Sequence, residues 1–313
     1  MDEEEFAGEF FARILGFLLH AYEHSQYGLV IRRLPDTNRN EITVVKTMLR
    51  LLALSFLVFL IPQQAWSAEP SLSVAEAINK SGRQRMLSQR MMKSYLMVGS
   101  DVKVDAAQRQ LDASVTLFEE QLQELRQYAT TSNSFIVAKK LDEVIKIWSP
   151  HRQLITAKPT KSGLFELLAM NRQLLVASNE VVKAIAKHAN MASAELVNIA
   201  GRQRMLSQRI AKVYIALFWE INDPTLRNEF DDAVKLFDES LTRIEGYDKN
   251  SPEIKRALRD VRNRWKLSQR MFKLEDGGSY APLLMAVTTE SILKKMNHVT
   301  GLYEELVTAQ ASR

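Results

Sequence analysis

Residues 82–90 and residues 201–209 both read GRQRMLSQR, 119 positions apart. Nine identical residues in a row do not recur by chance in a chain of 313. The likeness continues more loosely around them. Ile78-Asn79 aligns with Val197-Asn198, Lys93 with Lys212, Tyr95 with Tyr214, and Leu117-Phe118 with Leu236-Phe237. The chain therefore reads as two copies of one unit, each opening on this segment.

Each copy reads as helix throughout. Ser73-Val74-Ala75-Glu76 is a capping-box signature, and the helix it opens is expected to run to about Gly99-Ser100. Leu111, Val115, Phe118, Leu122 and Leu125 then recur at three-and-four spacing, which predicts a second helix over 102–129. A third is expected over 134–148, stopping at Ser149-Pro150, and a fourth from Leu164 after the linker 158–163. The second copy repeats the plan, with helices expected to about Asn222-Asp223, over 225–245, from Ser251-Pro252-Glu253 to about Leu274, and over 281–309. The expected fold is all-α: two tandem up-down antiparallel four-helix bundles. The first spans 69–189 and the second 190–313. Between Leu164 and Ile221 there is no proline and one glycine, Gly201. The fourth helix either continues into the fifth or breaks near His188-Ala189-Asn190.

Ahead of the repeats, Met48–Ile61 is an apolar run preceded by Lys46, followed by Pro62 and then by the small-x-small site Ala65-Trp66-Ser67. That is the order of a secretory signal. Residues 45–68 are expected to be either a cleaved signal, giving a periplasmic protein, or a single N-terminal span in the inner membrane. Residues 1–44, with the acidic head Asp2–Glu5, read as a leader from an over-long gene start or as an amphipathic helix near Phe6–His20.

On a helical wheel at about 100° per residue, Ile78, Gly82, Arg85, Gln89, Met92 and Leu96 share one arc. Val197, Gly201, Arg204, Gln208, Ala211 and Ile215 share the equivalent one. Arg83 and Arg90 fall away from it and read as solvated charges. Arg85 and Arg204 lie on a partly apolar stripe and need an acceptor. Their planar donor fork suits a carboxylate or other planar oxyanion, Gln89 and Gln208 add an amide one turn on, and Gly82 and Gly201 admit close approach. The residues leave two readings: a small-anion site between helices, or ion pairs to acidic residues at the core edge.

Other chemistry is poorly represented. The chain has no cysteine, which excludes disulfides and thiol catalysis. His151, His188 and His298 are isolated, and His20–His24 fits a weak H-x-x-E-H pattern in the leader. Met86, Met91, Met92 and Met97 read as bundle core, as do Trp148, Trp265 and Phe218-Trp219. Asp231-Asp232 reads as a solvated face. No nucleophile elbow, phosphate loop or dinucleotide fingerprint occurs, so no enzyme, metal or cofactor is expected. A net charge of +5 spread over the chain does not call for nucleic acid.

The run from Ile78 to Arg90, with its copy from Val197 to Arg209, resembles the first helix of the PilJ/NarX-type sensor domain found in type IV pilus chemotaxis transducers and nitrate/nitrite sensor kinases. The resemblance implies a four-helix bundle and, in its nitrate-sensing branch, an anion held across a homodimer axis by an arginine three residues after the helix glycine. Arg85 after Gly82 and Arg204 after Gly201 match that position. Arg-Gln-Arg-Met-Leu in mid-motif is closer to the pilus-transducer branch than to the nitrate sensors. The expectation is a periplasmic ligand-binding protein in which the two copies supply Gly82, Arg85, Gln89, Gly201, Arg204 and Gln208 to one nitrate-like anion. No output module follows the second copy, so its state would pass to a membrane receptor, sensor kinase or transporter. The alternative is a ligand-free module that binds a pilin or other envelope component.

Overall fold

The computed structural model describes residues 72–189, 194–270, 272 and 281–311, and Pro70–Arg313 forms one compact unit. The expectations for residues 1–68, including the export segment and the His20–His24 pattern, lie outside the described residues; the third helix of copy two ends at Gln269 with Arg270 as its C-cap, short of the expected Leu274.

Eight helices are present among the described residues: α1 (Val74–Gly99), α2 (Val104–Thr131), α3 (Phe135–Ile155), α4 (Leu164–Ala189), α5 (Ala194–Phe218), α6 (Leu226–Glu245), α7 (Pro252–Gln269) and α8 (Pro282–Ala311). Helices α1–α4 close one antiparallel ring and α5–α8 a second. None is long and apolar enough to cross a membrane. The capping box forms as read: the Ser73 hydroxyl accepts from Glu76 N–H and Glu76 answers to Ser73 N–H. Ser251 caps α7, with Pro252 in the first turn.

The third helix does not stop at Ser149-Pro150; α3 carries Pro150 inside it and continues to Ile155. An interior proline costs about 3 kcal/mol. Here the extra turn buries His151 and Ile155, and Pro150 itself faces outward. The helix α5 ends at Phe218, earlier than expected, and Glu220 at φ 56° turns the chain out of it.

Repeated packing follows the repeated sequence. Phe118 stacks on Trp148 at 4.3 Å between ring centroids, and Phe237 on Trp265 at 4.1 Å. Gln84 donates to the Phe118 carbonyl and Gln203 to the Phe237 carbonyl, both at 3.1 Å. The indole N–H of Trp148 reaches Glu119 and that of Trp265 reaches Asp238. Both tryptophans are core anchors, and Met86, Met91, Met92 and Met97 are buried with them. Phe218 and Trp219 are half-buried against the same core, and Asp231-Asp232 faces outward.

The two bundles share a seam. Helices α1 and α5 pack along each other more extensively than any other pair. Asn79 and Lys93 of α1 reach Glu304 and Glu290 of α8, while Arg204 and Gln208 of α5 reach Asn297 and Thr289. Both therefore run antiparallel to α8 and parallel to each other. Helix α4 opposes α1, with Asn171 beside Gln89 and Asn179 beside Arg85. It thus opposes α5 as well. The chain reverses between Ala189 and Ala194, so α4 does not continue into α5. A long continuous helix would hold the two motif helices apart, whereas the reversal lets both bury their Gly-Arg stripe against each other.

Candidate functional site

Four of the six expected residues meet around one point of the seam, and a fifth, Gln208, crosses it to Lys93. A Cβ built on Gly82 would lie 3.4 Å from Arg85 Nη2 and 3.6 Å from Arg204 Nη2. One on Gly201 would lie 3.2 Å from Arg204 Nη2 and 3.7 Å from Arg85 Nη2. Both guanidiniums therefore sit beside both glycines. The missing side chains give them the room where α1 and α5 touch.

Neither arginine forms an ion pair among the described residues; amides hold them instead. Arg85 Nη1 donates to Asn179 Oδ1 and Nη2 to Asn198 Oδ1, both at 2.9 Å. Arg204 Nη1 donates to Asn297 Oδ1 at 3.3 Å and Nη2 to the Asn79 carbonyl at 3.2 Å. Each side chain is 1% exposed, and the Nε–H of each has no protein partner. Burial pushes Arg85 down to about 9, with Arg202 adding repulsion. Burial does the same to Arg204, with repulsion from Arg83 and Arg85 opposed by Glu304. The result is a concentrated, dehydrated positive charge shared by two facing helices.

Gln89 and Gln208 are fully buried one turn further on but make no hydrogen bond to either guanidinium. Gln89 Nε2 donates to Ser88 Oγ and Asn171 Oδ1. Gln208 donates to the Thr289 carbonyl and accepts from Lys93 Nζ at 2.8 Å. They tie the motif helices to α4 and α8.

The alternative reading, ion pairs from the arginines to core-edge acids, is not what forms among the described residues: the buried carboxylates meet lysines. Lys93 pairs with Glu290 across the seam, while its counterpart Lys212 pairs with Glu229 inside the second copy. Burial lowers Lys93 to about 8 against the attraction of Glu290. Arg90 is not a free surface charge; it forms a two-pronged pair with Glu290. Arg209 likewise joins Glu229.

Several residues of the site escaped the sequence reading. Asn79 and Asn198 align in the repeat, but a short uncharged amide gives no sign of a site by itself. Their reciprocal use by the opposite copy's arginine requires knowing that α1 and α5 are neighbours. Asn179 and Asn297 are 118 apart, one short of the motif's spacing, and lie outside any aligned segment. Glu304, held up by burial, accepts from Asn79 Nδ2 and attracts Arg204.

A family model described as the type IV pili methyl-accepting chemotaxis transducer N-terminal region matches residues 66–167 and again 187–285, together more than half of the chain. No curated protein and no solved structure matches the chain.

Proposed function

The chain belongs to the type IV pili methyl-accepting chemotaxis transducer N-terminal family, in two tandem copies, and from that premise we propose that it is a non-enzymatic periplasmic sensor whose copies hold one small oxyanion between them. Membership makes it a sensor-like module of the transducer type. One observation carries the finer reading: two buried guanidiniums converge on the Gly82–Gly201 contact, and neither forms an ion pair with a carboxylate among the described residues. Like charges so close in a low-dielectric interior repel. A planar oxyanion, nitrate-like in size, relieves that repulsion and accepts from guanidinium donors in their own plane. Because Arg85 and Arg204 sit on different helices, the anion's charge draws α1 and α5 together. A separate membrane receptor, kinase or transporter reads that change.

The runner-up is a ligand-free interaction module that binds a pilin or other envelope component. It is favoured by the Nη atoms of both arginines already having amide or carbonyl acceptors. Calorimetry and thermal shift with nitrate, nitrite and related oxyanions separate the two, since a ligand of the folded state alone must raise its stability. The expected result is saturable binding by the wild type that is lost in the Arg85→Ala, Arg204→Ala double variant. Equal binding by that variant refutes the site. No binding of any oxyanion by the wild type hands the argument to the interaction module.

A further inference from the structure

Helix α7 is chemically unlike its counterpart. Between Pro252 and Arg270 it carries seven cations against two carboxylates, an excess equal to the net charge of the whole chain, +5. The buried side of α7 is Ile254, Leu258, Val261, Trp265 and Ser268. Lys255, Arg256, Arg259, Lys266 and Arg270 lie opposite, within an arc of about 100°, and all five are exposed. The ion pairs of this helix use Arg262 and Asp260; among the described residues none joins the five.

Trp148 and Trp265 fix the equivalent register in α3. There the same five positions are Ala138, Lys139, Asp142, Ser149 and Gln153. One fold is thus built twice with the same buried face and with only one cationic stripe. Packing does not require the stripe, so its charge serves something outside the bundle.

Apolar side chains adjoin it. Asn250 meets Tyr303, and Asp260 meets Lys295, which sets α7 antiparallel to α8 and brings Leu267 level with Val287 and Leu284. These three are 53%, 58% and 52% exposed. Cations with neighbouring apolar side chains suit a surface that is anionic outside and hydrocarbon beneath. Nucleic acid rewards the first and not the second.

We propose that the outer face of α7, with the adjoining start of α8, docks on an anionic phospholipid bilayer. Lys255, Arg256, Arg259, Lys266 and Arg270 meet the headgroups, and Leu267, Leu284 and Val287 enter the interface. The stripe runs roughly 22 Å along the helix, so the bundles lie lengthwise on the membrane. This is independent of the anion site.

The test uses the full chain and vesicles of phosphatidylcholine alone or mixed with phosphatidylglycerol. It reads the gain in binding on the anionic vesicles, which sets aside any contribution from the apolar run near residue 50. The wild type gains, and added salt abolishes most of the gain. The triple variant Lys255→Gln, Arg259→Gln, Lys266→Gln, with unchanged melting, loses about a hundredfold. Lys139→Gln with Lys146→Gln in α3 changes nothing. Leu267→Ser with Val287→Ser weakens binding in a salt-independent way. The proposal is overturned if the wild type shows no anionic preference, if the triple variant binds like the wild type, if the α3 pair loses as much, or if duplex DNA competes the protein off the vesicles.

Discussion

Arg204 donates at 3.2 Å to the backbone carbonyl of Asn79, a residue 125 positions earlier in the chain. Arg85 makes the return contact with Asn198. These crossed bonds tie the two copies of the tandem duplication into one reciprocal contact, and the glycines between them are the first point to probe.

Gly82→Ala and Gly201→Ala should differ. A Cβ at Gly82 makes ordinary contacts, so the substitution gains up to about 1 kcal/mol of helix propensity. At Gly201 the new atom lies 3.2 Å from Arg204 Nη2, and the guanidinium must shift. Urea melts are expected to show Gly82→Ala at or above wild-type stability and Gly201→Ala below Gly82→Ala. Equal midpoints would argue against a crowded Arg204.

A third glycine tests the far end of the seam. A Cβ on Gly99 would lie 2.3 Å from the Trp219 ring, an impossible contact unless the indole moves. Gly99→Ala should cost about 1–3 kcal/mol, as overpacking does. Trp219→Leu in the same chain should restore most of that, as thermal denaturation of the single and double variants would show.

His151 supplies an acid limb to the stability curve. Its ring lies beside Trp148, neither nitrogen has a protein partner, and burial pushes it down to about 4. Above the ordinary imidazole pKa it is neutral in both states. Below that, the unfolded chain takes up a proton that the folded one refuses, so stability falls as pH drops toward 4. The loss is about 2 kcal/mol at pH 5. In denaturant titrations across pH 4–7, His151→Leu should flatten this limb.

Glu229 acts lower on the scale and in the same direction, through loss of an attraction rather than refusal of a proton. Burial would raise its carboxyl, but Lys212 and Arg209 hold it at about 2. Its contribution is complete above the ordinary carboxylate pKa and is lost as pH falls toward 2. Glu229→Gln strands the Lys212 ammonium in the interior and should cost about 3–5 kcal/mol near neutrality. Adding Lys212→Met should recover much of it. The exposed pair Lys183–Glu180 is the control: Glu180→Gln should change stability by less than about 1 kcal/mol.

Much of this was legible in the letters. Ser73 and Glu76 cap α1 as their spacing says. Gly82 with Arg85, and Gly201 with Arg204, share a stripe as the wheel implies; that the two stripes meet is suggested only by the family resemblance. What escaped has physical causes. Pro150 is overridden by the burial of His151 and Ile155, a tertiary gain that local propensity does not see. The sequence leaves open whether α4 runs on into α5 or breaks near His188-Ala189-Asn190; with no glycine or proline there to decide, the packing of α1 on α5 selects the break. Ion pairs to acidic residues were one of two readings open for the arginines, but Glu290 and Glu229 meet Lys93 and Lys212 instead. The asparagines hold the guanidiniums only because four helices converge, which no single helical wheel displays.

The parallel course of α1 and α5, with α8 opposed to both, puts Ser73 and Ala311 at one pole, where Asn79 touches Glu304. A force pulling these two ends apart loads that contact first. The helices then peel open pair by pair instead of sliding as a block, so the molecule should yield mechanically at low force, from the Arg204 end toward Glu290.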